Sequence, residues 1–412
     1  MLDLVEPKDA VRSDVTRRAG LSACVAAGLA LLALGVPAVF APPVSAQDTG
    51  PIKIGLAITQ TGPFSPPASY ELRGYELAVD QINKSGGLLG RQLQIVKYDD
   101  QGNPATAVQL YQKLLTDDRV DLLLSPYQTD LVGAVAPVVN RAKKVMPSLA
   151  ANVEHFEGKY PYLIQSMTQT SRYMAPIIDL AAAKGYKTIA ILVQNTQFPQ
   201  QLAQGIEEKA KEKGLTVVFK ETYAPTTTDF SALVLKASEA KPDVIIGATY
   251  LADAQGIVRA AKSQNVQAKM FAFSIGPVEP EFYKGLGTAA ETVFGTTLYF
   301  KTLKTKGNVE FVAAFREKYN LDPTYHAAVA YASMKVFGDV IKKVGSLDQD
   351  KIRAEFVKTA EETVVGHYEL DQNGKQLGYG SYALQWLNGQ QELVWPKADA
   401  TTDPVLPHPG WK

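Results

Sequence analysis

From residue 52 onward, short apolar runs alternate with amphipathic stretches of helical length. The run 52–59 predicts a buried strand, and 70–83 a helix with Leu72, Tyr75, Val79 and Ile82 on one face. Residues 93–98 predict a strand, 104–116 a helix with Pro104 in its first turn, 120–124 a strand and 130–141 a helix. The alternation resumes with strands at 188–193, 217–220 and 244–247 and helices at 200–213 and 229–239. Strands separated by helix-length segments are joined as right-handed βαβ units in parallel sheets. The rhythm breaks after residue 168 and again near 300. Two helices follow, 309–319 and 325–344, and then strands that turn at Asn388-Gly389. The pattern predicts an α/β protein of two doubly wound parallel-sheet lobes, with the chain returning to the first lobe near residue 300. Ligands of such sheets bind beyond the carboxyl ends of the strands, which places a cleft between facing lobes.

One stretch of this pattern carries chemistry. After the apolar run 120–124, the polar loop Ser125-Pro126-Tyr127-Gln128-Thr129 leads into a helix. The first amides of a helix point outward unpaired, so a strand, a polar loop and a helix N-terminus together can hold an anion.

Composition narrows the picture. Of 412 residues, 46% are hydrophobic and 20% charged, as in globular proteins, and the length suffices for two lobes with cores of their own. Lysine plus arginine balances aspartate plus glutamate at 42 each, so no net field draws in nucleic acid. Residues 1–46 read as an export signal. Arg17 and Arg18 precede an uncharged stretch rich in Ala, Leu and Val, which ends in the small-x-small site Val44-Ser45-Ala46. The alternative is a retained membrane anchor, which Pro37, Pro42 and Pro43 disfavour. The single cysteine, Cys24, lies in that signal, so the exported chain is expected to have no disulfide and no thiol nucleophile.

Signatures of catalysis are missing. There is no G-x-x-x-x-G-K-[ST], H-E-x-x-H or G-x-S-x-G. Gly285-Leu-Gly287 and Gly378-Tyr-Gly380 match a dinucleotide fingerprint in spacing but not in context. Asp371-Gln-Asn373-Gly374 matches part of a calcium loop, and a hairpin turn accounts for it better. His155, His326, His367 and His408 lack metal-ligand spacing. No cofactor, metal or enzymatic activity is expected.

Several segments occur in a telling order: Ile54-Gly55, Thr61-Gly62-Pro63, Arg73-Gly74-Tyr75-Glu76-Leu77-Ala78, Gly86-Gly87-Leu88-Leu89-Gly90-Arg91, Tyr98-Asp99-Asp100 and Ala289-Ala290-Glu291. In this order and spacing the chain resembles, over nearly all its length after the signal, the periplasmic solute-binding proteins of branched-chain amino-acid ABC importers (type I, cluster I). The resemblance implies two lobes joined by three crossings, which close on a small ligand and deliver it to an importer permease in the inner membrane. It implies lobes of residues 47–168 with 299–378 and of 169–298 with 379–412, a periplasmic location, and action as a monomer.

The resemblance also implies a site. A ligand carboxylate would be held by the Thr129 hydroxyl and by the Ala150-Ala151-Asn152 turn, with the Asn152 amide where the family has a hydroxyl. The alternative is that Thr129 and Asn152 only cap a helix and close a turn. Tyr127, Phe198 and Tyr250 would wall the ligand, and His326 would offer a hydrogen bond; Phe64 and Tyr70 are expected to pack between the lobes. Amino-acid binders carry a carboxylate against the ligand ammonium after the strand that here reads 270–274, and the residue aligned with it is Ile275. A buried ammonium without a counter-charge costs several kcal/mol. The expected ligand is therefore a small organic acid without an amino group, of the benzoate or phenylpropenoate type. The rivals are an amino-acid receptor in which Glu279 replaces the missing partner, and a sensory ectodomain on the same fold.

Overall fold

The computed structural model describes residues 50–150 and 156–411. The signal segment, Cys24, Asn152 and His155 lie outside the described residues. β1 (Ile52–Ala57) pairs in parallel with β2 (Leu93–Tyr98) on one side and β3 (Leu122–Leu123) on the other. The crossovers are α1 (Ser65–Lys84) and α2 (Pro104–Thr116). Asn103 caps α2, its side-chain oxygen accepting from the Ala105 and Thr106 amides at 2.9 and 3.1 Å, and Pro104 fills the first turn, where its missing N–H is not needed. β3 leads into α3 (Thr129–Arg141), and β4 (Met146–Ser148) pairs in parallel with β5 (Leu163–Gln165).

A seven-stranded sheet follows, in the order β14-β13-β10-β9-β8-β6-β7. Its parallel part is β6 (Thr188–Gln194), β7 (Thr216–Tyr223), β8 (Val244–Ala248), β9 (Met270–Phe273) and β10 (Phe294–Thr297). The helices between these strands are α5 (Gln197–Glu212), α6 (Ser231–Glu239), α7 (Leu251–Ser263) and α8 (Pro280–Leu286), with α4 (Ala175–Ala183) preceding β6. The chain then leaves this sheet for α9 (Asn308–Tyr319), α10 (Tyr325–Val344), α11 (Gln349–Phe356) and the hairpin of β11 (Ala360–Thr363) and β12 (Gly366–Glu369). α10 lies against α1 so closely that a Cβ on Gly74 would strike the Ala327 carbonyl, which explains the glycine in Arg73-Gly74-Tyr75. The chain returns as β13 (Tyr382–Leu387) and β14 (Gln390–Trp395), both antiparallel. Asn388 and Gly389 make the turn between them with φ of 53° and 75°. Three passages therefore join two sheet systems, and the fold is the type I periplasmic-binding-protein fold.

Two elements start earlier than the pattern suggests. α1 begins at Ser65 because Pro66 and Pro67 serve its first turn, and α5 begins at Gln197 with Pro199 in its first turn. The segment 371–374 is a turn: Gly374 N–H donates to the Asp371 carbonyl at 2.9 Å, and Asp371 Oδ1 accepts from the Asn373 and Lys375 amides.

Candidate ligand-binding cleft

The loop after β3 is bent by an unusual backbone. Gln128 has φ of 82° and ψ of 142°, a region that side chains rarely occupy and that costs about 1–3 kcal/mol. Beyond this bend the chain enters α3 at once. Tyr127, Gln128 and Thr129 all line one small cavity, so the positive end of α3 abuts it. The cavity's other predicted walls come from the corresponding ends of other elements. Phe198 stands in the first turn of α5, Tyr250 just before α7, Ile275 after β9, and His326 second in α10.

Six of the eight residues expected at the site thus meet at one place. Ala150 does not line the cavity: its amide donates to Ser148 Oγ at 3.2 Å, its methyl packs in the apolar cluster behind, and Leu149 faces the cavity instead. Sequence reasoning missed Leu149, Met167, Tyr173 and Tyr325, as well as Gln128. Met167 and Tyr173 come from the first crossing, where no periodicity points to them. Tyr325 could have been found beside His326.

The walls are mostly aromatic rings, set edge to face or tilted against one another. Tyr173 meets Phe198 at 5.5 Å and Phe198 meets Tyr250 at 5.8 Å, while Tyr127 stands 5.3 Å from the His326 ring and Tyr325 lies 3.9 Å from it. Burial pushes the phenols of Tyr127, Tyr250 and Tyr325 well above their ordinary range, so they stay neutral and able to donate. The cavity holds about 30 Å³, room for about two water molecules, so a ring-bearing ligand requires the walls to part. A wider groove of about 460 Å³ adjoins it past the shared Tyr250 and Ile275 and is bordered by Phe64 and Phe230. Tyr70 is elsewhere, stacked on Phe315.

Charge at the site is arranged in two places. On α3, burial raises the pKa of Asp130, whose carboxylate accepts from the Gln197 amide at the start of α5. Near α10, His326 Nδ1 lies 2.8 Å from Glu279 Oε1, both side chains being almost wholly buried (2% and 0% exposed). The contact is close but poorly aligned, since neither Nδ1 nor either Glu279 oxygen has a hydrogen-bond partner of good geometry. Among the described residues no cluster of three or more His, Cys, Asp or Glu side chains could hold a metal ion, and no helix is long and apolar enough to cross a membrane.

Fold and cleft together define a solute receptor. The periplasmic binding protein family matches residues 51–391, and the chain belongs to that family. The Leu/Ile/Val-binding protein homolog 7 of Brucella suis is 26% identical over 401 residues, covering 92% of this chain and 99% of that protein. Among solved structures, the isoleucine complex of the branched-chain amino acid transporter substrate binding protein of Streptococcus pneumoniae superposes with a TM-score of 0.77 at 25% identity, covering 84% of this chain and 99% of that one. An ABC transporter solute binding protein of R. palustris in complex with benzoate gives 0.74 at 18% identity, covering 88% and 97%. The protein is a solute-binding protein of an ABC transporter. Its family binds small molecules, works with membrane permeases and is not one of enzymes.

Proposed function

We propose that this protein is the periplasmic receptor of an ABC importer for a small aromatic carboxylic acid. The lobes, residues 47–168 with 299–378 and 169–298 with 379–412, would close over the acid and present the closed surface of a monomer to the permease. One observation carries the reading: the cavity joins neutral donors and a helix N-terminus at one end to aromatic walls and Ile275 at the other. Thr129 and the α3 amides suit a carboxylate, with Asn152 as a further donor, while Phe198, Tyr250 and Tyr173 suit the faces and edges of a ring. Among the described residues none that lines the cavity is acidic, and Glu279 already faces His326. That benzoate and isoleucine are both held on this fold, by the R. palustris and S. pneumoniae proteins, shows both chemistries to be within its reach.

The names of the relatives favour a second reading, an amino-acid receptor that uses Glu279. Calorimetric titration of the purified protein with benzoate, 4-hydroxycinnamate, leucine and phenylalanine separates the two. Binding of the aromatic acids and not of the amino acids is expected; binding of leucine or phenylalanine without benzoate would replace the proposal with the second reading.

A further inference from the structure

Glu279 is a fully buried carboxylate placed beside a ligand cavity that, on the reading above, takes an anion. A lone carboxylate there would repel the ligand, so its partner matters. Several groups face the pair. The Tyr325 and His326 rings of α10 lie 3.9 Å apart, Tyr127 approaches the imidazole from the loop before α3, and the hydroxyls of Tyr70, Tyr127 and Tyr325 lie within the field of Glu279. Arg73 and Glu281 also act on the Tyr70 hydroxyl. His326, at 2.8 Å, is the basic group in contact with Glu279.

An amino-acid ligand that sought Glu279 for its ammonium would have to displace the imidazole and leave it buried without its partner. An anionic ligand makes no such demand on the pair and finds neutral donors and the positive end of α3 across the cavity.

We infer that His326 selects the charge class of the ligand: by occupying Glu279 it converts an ammonium site into a site for organic anions. This rests on the organic-acid reading and deepens it. Without His326, Glu279 is free to pair with a ligand ammonium, while the α3 end still accepts the carboxylate of the same zwitterion.

The test is calorimetric titration of the wild type, His326→Leu, His326→Gln and Glu279→Gln with benzoate, phenylalanine and leucine in one buffer at neutral pH. Wild type is expected to bind benzoate and not the amino acids. His326→Leu should lose benzoate affinity by about tenfold or more and gain phenylalanine or leucine binding. His326→Gln keeps a polar neighbour for Glu279, which guards against failure to fold, and should shift the same way. Glu279→Gln should gain no amino-acid binding. Folded His326 variants that hold benzoate as the wild type does and take no amino acid would overturn the inference and leave the organic-acid reading standing. Amino-acid binding by the wild type without benzoate would overturn both.

Discussion

Asp253 stands in the first turn of α7 and orders the residue that walls the cavity. Its Oδ1 accepts from the Tyr250 amide at 2.8 Å, and its Oδ2 accepts from the Tyr223 hydroxyl at 2.5 Å and from Gln194 Nε2 at 3.1 Å. Burial pushes its pKa from 3.8 up to about 6, although these donors pull the other way. The folded chain therefore holds this proton more tightly than the unfolded chain does. Stability from this group is fully present below pH ~4 and is lost as the pH rises towards about 6, a change of about 3 kcal/mol. Urea unfolding of the wild type and Asp253→Asn at several pH values checks this. The wild type should lose stability relative to the variant between pH ~4 and ~6, and a pH-independent difference would refute the assignment. At this scale the site is legible through the resemblance, which supplies Tyr127, Thr129, Phe198, Tyr250, Ile275 and His326, while the strand pattern by itself supplies only the loop of Tyr127 and Thr129. Gln128 was hidden because glutamine gives no hint of a positive φ. Ala150 was misplaced by one position, since Ser125 Oγ and Ser148 Oγ take the Leu149 and Ala150 amides and turn Leu149 to the cavity.

β9 ends at the cavity, and its outer face is covered by the last residues of the chain rather than by a helix alone. Phe271 meets His408 at 5.0 Å and Trp411 at 4.8 Å, the His408 amide donates to the Lys269 carbonyl at 2.8 Å, and Trp411 Nε1 donates to the Val266 carbonyl at 2.7 Å. Burial lowers the His408 pKa to about 4, and its neutral ring accepts from the Gly410 amide. Trp411→Ala should remove this cover and lower unfolding stability by about 2–4 kcal/mol, read by urea titration. A loss below 1 kcal/mol would mean that the tail only rests on β9. The pattern of apolar positions revealed strands and helices where partners are local: β2, α2 and α10 lie within the stretches predicted. It did not reveal β4, β5 or the tail strap. Strands of three residues hold too few side chains to show a period, and the strap is fixed by contacts made far along the chain.

Across the molecule, the two sheet systems are tied at the passages between them. The Tyr379 hydroxyl donates to the Ser166 carbonyl, Ser381 Oγ donates to the Arg172 carbonyl at 2.9 Å, and Arg172 Nη1 donates to the Leu377 carbonyl at 3.1 Å. These bonds join the first and third crossings side by side, so on the proposed lobe closure it is the opposite mouth of the cleft that opens. What holds that mouth is smaller: Asp130 against the Gln197 amide, and the edge of Phe64 against Tyr250 at 5.1 Å, between the start of α1 and the start of α7. Phe64 borders the outer groove and does not line the small cavity, so on the proposed closure it acts through Tyr250 rather than on the ligand itself. An aromatic pair of this kind is worth about 0.5–1.5 kcal/mol beyond its area, equivalent to about two- to thirteenfold in affinity. Phe64→Ala should weaken benzoate binding by that factor, and stopped-flow measurement should place the change in the dissociation rate, since on the proposed closure the edge contact is broken when the mouth opens. An unchanged dissociation rate would show that the crossings alone set the closed state, and that the rings at the mouth follow its closure without stabilising it.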